Sequence, residues 1–352
     1  MNELIQHFSE IRNIIIQAQY NALRSVNEKL IQLYWQVGEY VSNKLTKSGW
    51  GDGIVNKLVE FLKKEEPLLS GFTRPGIYRM VQFYDTYTNP AIVSTVSRQL
   101  LFDDNQCNEF VSTLLRQISW SHHLEIMSAC KLPEEKVFYL IQAPKERWSV
   151  RELRRQIKSS LFERTMMGNL TISAAVKDLP QSSKVLNVFK DSYVFEFLNL
   201  SEPHKEIDLQ RAIVANLKKF LIELGSDFAF IGEEYKLQVG MRDFRIDLLF
   251  YHRELQCLVA FDLKTDMFEP EYLGKINFYL EALDRDVRKL HENPSIGVLL
   301  CKSKDDVLVE YALSRTMNPA MVAVYNLKMP NKKMLQDKWQ EILELAERGI
   351  KS

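Results

Sequence analysis

Residues 244–266 read FRIDLLFYHRELQCLVAFDLKTD, two apolar runs that each carry a carboxylate where core is expected. Asp247 lies among Ile246, Leu248 and Phe250; Asp262 follows Val259, Ala260 and Phe261, and Lys264 stands two residues beyond it. A charge in such a setting has to be paired, bind a metal or shift its titration. Strand alternation sets Asp247 opposite Ile246, Leu248 and Phe250, and puts Asp262 and Lys264 on one face. If the two runs are neighbouring strands, two carboxylates and an ammonium converge at the end of a sheet. Hard oxygens from one or two carboxylates, completed by water and phosphate, are what Mg²⁺ prefers. Such an ion lowers the pKa of a bound water and offsets charge on a phosphoryl transition state. Lys264 would orient that water or stabilise that charge. The same spacing also suits an ordinary ion pair at a strand end with Asp247 capping a turn.

These residues need a scaffold. The chain has 352 residues, 46% hydrophobic and 11% aromatic, a globular composition long enough for about two domains. Its 46 basic and 46 acidic residues cancel, so no global field draws it to nucleic acid or membrane. Cys107, Cys130, Cys257 and Cys301 form no CxxC pair and read as reduced core thiols. The first ten residues, MNELIQHFSE, lack a cationic segment followed by an apolar run, and no 18-residue apolar stretch occurs. A cytoplasmic location without membrane partners is the expectation. No GxGxxG, Walker A or HExxH pattern is present.

Helical periodicity runs from Ile5 to about Leu45, then again from Ile54 to Leu62 after the glycines of SGWGDG, with Asp52 as a cap. Thr73 and Pro75 mark the start of a helix through about Tyr84, so a helix-turn-helix is one reading, with Arg74, Arg79 and Gln82 outward. WSVRELRRQIKSSLFER, 148–164, predicts a helix opened by a Ser149/Glu152 capping box. Arg151, Arg154, Arg155 and Lys158 crowd one of its faces and suit phosphate contacts; pairing with Glu146, Glu152 and Glu163 is the bland alternative. The tandem His122 and His123 are expected to pack or cap locally. The texture changes between about 168 and 185. Beyond it the pattern predicts a helix over 209–224, strands near 228–231, 235–239, 244–251 and 256–263, then a helix at 270–283, a strand at 295–301, a helix at 304–314 and a strand at 321–327. The fold class is therefore mixed α+β: an all-helical N-terminal domain, 1–175, followed over 183–352 by a mixed sheet with helices on its faces.

The stretch from Phe244 to Asp284, with NPSIGVLLCKSKDDVLVEYAL downstream and QISWSHHLEIM and WSVRELRRQI upstream, resembles the bacterial YhcG-like family of the PD-(D/E)XK nuclease superfamily. The resemblance implies a restriction-endonuclease-like α/β domain and metal-dependent phosphodiester hydrolysis, with Mg²⁺, or Mn²⁺ in its place, as cofactor. Asp247 matches the superfamily's first acid, Asp262 the second and Lys264 the lysine. Lys275 and Tyr279 fall where some branches carry a Gln-x-x-x-Tyr pair, with Lys in place of Gln; Asp262 replaces an expected Glu. Related branches place another acid early in the first core helix, where Gln210 stands, leaving Asp208 or Glu223 as the third metal ligand. The expected partner is nucleic acid, DNA first, with a homodimer or a defence-system partner as further expectations. An inactive nuclease-fold DNA-binding protein and an adaptor in a restriction or defence assembly are the alternatives.

Overall fold

The computed structural model describes residues 25–46, 52–92, 94–95, 113–179 and 182–349. The chain divides into two compact units, Met1–Ile157 and Lys158–Ser352.

Among its described residues the first unit is helical: α1 (25–46), α2 (Asp52–Glu65), α3 (Arg74–Tyr87), α4 (Trp120–Ala129), α5 (Pro133–Lys145) and α6 (Val150–Lys158), which runs to the division. Val41, Val55, Val59, Ile77 and Val81 form one apolar cluster. α1 and α3 approach at Gly38, where an added Cβ would lie 2.1 Å from the Met80 carbonyl oxygen, so only glycine fits. Thr73 caps α3 as expected, its side chain accepting from the Gly76 amide at 3.2 Å. Ser149 caps α6 through the Glu152 amide, but the Glu152 carboxylate turns forward to Arg155 and Gln156, both at 3.1 Å.

The expected helix over 148–164 breaks at Ser159–Ser160, where Ser160 takes φ 54°, and α7 (Leu161–Met167) begins a new direction. α7 belongs to the second unit. Arg164 donates to the Ser192 carbonyl, Phe162 meets Trp339 edge-on at 6.1 Å, and the Ser173 amide donates to the Ala320 carbonyl at 2.9 Å. These contacts place the division ahead of the composition change at 168–185.

The second unit is built on a six-stranded mixed sheet in the order β1-β6-β5-β4-β3-β2. Besides α7, two short helices (Ala174–Lys177 and Ser182–Val188) and a 3-10 turn (Glu196–Leu198), its elements are β1 (Ser192–Val194), α8 (Glu206–Ala215), α9 (Leu217–Leu224), β2 (Phe228–Val239), β3 (Arg242–His252), β4 (Cys257–Leu263), α10 (Tyr272–Asp286), β5 (Ile296–Cys301), α11 (Asp306–Leu313), β6 (Ala320–Asn326) and α12 (Lys332–Gly349). β2, β3 and β4 are antiparallel neighbours; β4, β5, β6 and β1 run parallel. Leu209, Ile213, Phe220 and Leu224 of α8 and α9 cover one face over Leu248, Phe250, Val259 and Phe261. Leu273, Ile276, Leu280 and Leu283 of α10 cover the other over Leu249, Leu258, Ala260 and Leu299. β4 and β5 are buried at every position, which is why their sequences read as apolar runs broken only by Asp262. α10 sits close on the sheet because Gly297 has no side chain; a Cβ there would meet Ile276 Cγ1 at 2.6 Å.

Three expectations change in detail. The single helix over 209–224 divides at Asn216, whose side chain bonds the Ala212 carbonyl at 3.1 Å and competes with the helical ladder. The strands near 228–231 and 235–239 are one strand with a register shift between Phe230 and Gly232. β1, α12 and the short helices Ala174–Lys177 and Ser182–Val188 are additional.

Candidate active site

The antiparallel ladder of β3 and β4 ends at Leu248–Phe261. One residue further, the Leu263 amide donates instead to Asp247 Oδ2 at 2.7 Å, and Gln210 of α8 donates to the Asp247 carbonyl at 3.1 Å. The strands therefore part where the two acids stand. Leu258 and Ala260 pack toward α10, and by alternation Asp262 points the same way. It is fully buried and gripped from both sides: Lys275 Nζ lies 2.6 Å from Oδ1 and Lys264 Nζ 2.9 Å from Oδ2. The Lys264 amide continues the parallel pairing by donating to the Leu300 carbonyl at 2.9 Å, which fixes its backbone. Its ammonium reaches the Leu263 carbonyl at 3.0 Å and Glu206 Oε1 at 3.3 Å, and lies 5.2 Å from the Tyr272 ring.

Lys275, from the first turns of α10, lies 3.9 Å from Asp247 Oδ1 and 5.4 Å from the ring of Tyr279, one turn on. Five sequence-predicted residues, Asp247, Asp262, Lys264, Lys275 and Tyr279, thus converge. Burial, then the neighbouring Asp262 charge, raises the Asp247 pKa to about 6. Burial works against the charge of both lysines, yet Asp262 outweighs it and raises both. Burial, more than its neighbours, raises the Tyr279 phenol.

Glu206 is the acid that sequence reasoning missed: it opens α8 and reaches Lys264. Its signal was its place in the first turn of the first core helix. Of the two acids considered for a third ligand, Asp208 accepts from the Lys205 amide at 3.1 Å, and Glu223 is a correction. Glu223 Oε1 accepts from the Val194 amide at 3.1 Å and pairs with Arg164 at 3.5 Å, beside β1. β1 is three strands from β4, about 14 Å at the usual strand spacing, so Glu223 holds α9 to β1 and is no ligand of this site.

The donor set suits a hard divalent cation. Asp247 and Asp262 turn carboxylate oxygens toward one ammonium, and buried Asp262 Oδ2 makes no hydrogen bond of good geometry. Among the described residues no group of three or more His, Cys, Asp or Glu could hold a metal, so an ion at this site would draw on the Asp247 and Asp262 pair, with water and phosphate completing its shell.

In the first unit, Arg79 and Gln82 of α3 and Arg154 of α6 line one cleft of about 430 Å³ with Ser121, Glu125 and Ser128 of α4. Arg74, Arg79, Arg151, Arg154 and Lys158 are exposed, and Arg155 is half-buried. Arg154 pairs with Glu125 at 2.7 Å and Arg155 with Glu152 at 3.1 Å, so two of the four cations expected on α6 are already met locally. His122 binds Ser119 Oγ at 2.7 Å and the Trp148 carbonyl at 2.9 Å, and His123 is buried, which leaves neither for metal. Cys130, Cys257 and Cys301 are buried free thiols, and burial pushes the latter two up to about 12. Cys107 lies outside the described residues. Among the described residues no helix is long and apolar enough to cross a membrane.

Two family models match: the YhcG PDDEXK nuclease domain over residues 186–340 and the DUF1016 N-terminal domain over residues 10–164. The chain is 28% identical over 358 residues to the Escherichia coli (strain K12) protein named "Putative nuclease YhcG", covering 97% of this chain and 95% of that one. Similar solved structures include a repair endonuclease from Pyrococcus abyssi (15% identity, 37% of this chain, 50% of that one, TM-score 0.25). An EndoMS–dsDNA complex matches at 16% identity, 38% of this chain, 48% of that one and TM-score 0.25. Each solved structure is thus matched over about half its own length. The fold is restriction-endonuclease-like, and the chain belongs to the YhcG-like family of the PD-(D/E)XK nuclease superfamily.

Proposed function

We propose that this nuclease-family chain hydrolyses DNA phosphodiesters with a divalent metal, Mg²⁺ or Mn²⁺, at Asp247, Asp262 and Lys264. The observation that carries the reading is the parting of β3 and β4 at Asp247, which opens the two carboxylates and the Lys264 ammonium to a common point. Asp247 and Asp262 would hold the ion, which when bound supplies a Lewis acid for a phosphoryl oxygen and an activated water. Lys264, kept protonated by Asp262, supplies positive charge for the oxygen that gains charge during hydrolysis. Glu206 orients Lys264, and Gln210 holds the Asp247 backbone. Tyr279 supports Lys275 from α10.

The first unit serves as the nucleic-acid module in this reading. Arg79, Gln82 and Arg154 share a cleft, and Arg74, Arg151, Arg155 and Lys158 add cationic surface on α3 and α6. Such groups neutralise phosphates and position a duplex without reading its sequence. Cleavage of both strands would call for two copies, and a defence-system partner would use the same helical unit.

The test is cleavage of labelled duplex, single-stranded and branched DNA, and of RNA, by wild type and Lys264→Ala with Mg²⁺, Mn²⁺ or EDTA. Metal-dependent cutting of DNA that disappears in the variant is expected. Binding without cutting under every condition would favour the second reading, an inactive nuclease-fold DNA-binding protein. That reading draws on the two lysines that already neutralise Asp262.

A further inference from the structure

Asp262 carries two close cations, and one of them also faces Asp247. Lys275 Nζ lies 2.6 Å from Asp262 Oδ1 and 3.9 Å from Asp247 Oδ1, the two carboxylates that meet where the strands part. Lys264 approaches from the other side, at Asp262 Oδ2. The side chain of Lys275 is 41% exposed, whereas those of Asp262 and Lys264 are 0% and 8% exposed, so Lys275 can leave without unpacking the core. The carboxylates of Glu206, Asp247 and Asp262 against the ammoniums of Lys264 and Lys275 leave the cluster at a net charge of −1. A neutral residue at 275 would leave −2, which matches a divalent ion.

We propose that Lys275 is a resident counter-ion that competes with the divalent metal for Asp247 and Asp262, so that the metal binds only as the Lys275 ammonium swings out toward solvent. This rests on the metal-dependent reading given above. An ammonium and a divalent ion cannot share Asp262 Oδ1 at contact distance, because a bound ion lies within about 2.0–2.6 Å of its oxygens and like charges that close repel strongly even where solvent screens them. The lysine therefore weakens metal binding in the absence of substrate. It also keeps the carboxylate pair neutralised until an ion arrives. An ammonium released from the carboxylates stays tethered to α10, beside the ion, where a phosphate would meet it.

The experiment is a substrate-free Mn²⁺ titration of the full chain, followed by the paramagnetic resonance signal of free Mn²⁺, for wild type, Lys275→Gln, Lys275→Arg and Asp262→Asn. Lys275→Gln is expected to bind Mn²⁺ at least tenfold more tightly than wild type. Lys275→Arg, which keeps the charge, should stay within about threefold of wild type, and Asp262→Asn should lose the site. Equal or weaker binding by Lys275→Gln, with loss in Asp262→Asn, overturns the competition and leaves the metal-dependent reading standing. Absence of binding in wild type and Lys275→Gln alike overturns both. Circular dichroism of each variant identifies any that fails to fold; if Lys275→Gln does, Lys275→Met takes its place with the same expected gain.

Discussion

The Leu263 amide donates to Asp247 Oδ2 at 2.7 Å, closing the β3–β4 ladder with a side chain where a main-chain carbonyl would otherwise stand. In the proposed reading Asp247 would hold the metal as well as this strand end, two roles that substitution can separate. Asp247→Asn retains an oxygen acceptor for Leu263 and should leave stability within about 1 kcal/mol while removing a metal oxygen and nearly all cleavage. Asp247→Ala strands the Leu263 amide and should cost about 1–3 kcal/mol more. Urea denaturation beside single-turnover cleavage measures both; equal stabilities of the two variants would refute the structural half.

The buried pair of Glu223 and Arg164 ties α7 and α9 to β1. Removing one member of such a pair leaves an uncompensated charge, typically costing about 3–5 kcal/mol. Glu223→Ala should lower the urea midpoint accordingly. The folded fraction at low temperature should bind Mn²⁺ as wild type does, and a selective loss of metal affinity would return Glu223 to the site.

His123 gives the first unit a pH dependence of known sign. Its ring is fully buried between Tyr87 Oη at 3.3 Å and the Leu115 carbonyl at 2.8 Å, and burial lowers its pKa from 6.5 to about 4. The folded state keeps the ring neutral, whereas the unfolded chain takes up a proton below pH 6.5. Its contribution is present above that pH and is lost as pH falls through 4, about 2 kcal/mol of it between pH 7 and pH 5. The stability gap between wild type and His123→Gln should shrink by that amount over the same range, as read from urea midpoints at each pH. A constant gap would show that the ring takes up its proton in the fold as readily as in the unfolded chain.

Arg79 and Arg154 share a cleft but differ in their ties. Arg154 is held by Glu125 through two bonds, at 2.7 and 3.0 Å, whereas Arg79 is exposed on α3. If the cleft meets phosphate, Arg79→Ala should reduce the slope of log affinity against log salt by about 1, and Arg154→Ala by less. Fluorescence anisotropy at several salt concentrations gives the slopes, and unchanged values would move the nucleic-acid surface elsewhere.

The strands that flank the site were legible because their apolar runs are long and their burial nearly continuous: β3, β4, β5 and β6 lie within one or two residues of the spans read from pattern. Asp247, Asp262 and Lys264 stood out as charges in apolar runs, and Lys275 and Tyr279 came only from the family resemblance. What the sequence hid depends on chain separation. Glu206 reaches Lys264 from another element, and no local period links them. Glu223 looked free for metal because its partners, Arg164 and Val194, lie in segments with no visible relation to α9. β1 has three residues, too few for an alternation to register, and Asn216 and Ser160 break helices through local hydrogen bonding and a left-handed backbone that apolar period cannot report.

The sheet's two borders also bear on how copies of this chain behave in a crowded solution. One border is β1, only three residues long. The other is β2, whose ladder is interrupted between Phe230 and Gly232 and whose exposed positions include Glu233 and Lys236. Short edges, bulges and edge charges are the means by which sheets avoid templating one another. Edge-to-edge stacking into fibrils is thus disfavoured at both ends, and two copies that cut opposite strands of a duplex would have to meet through helices or loops.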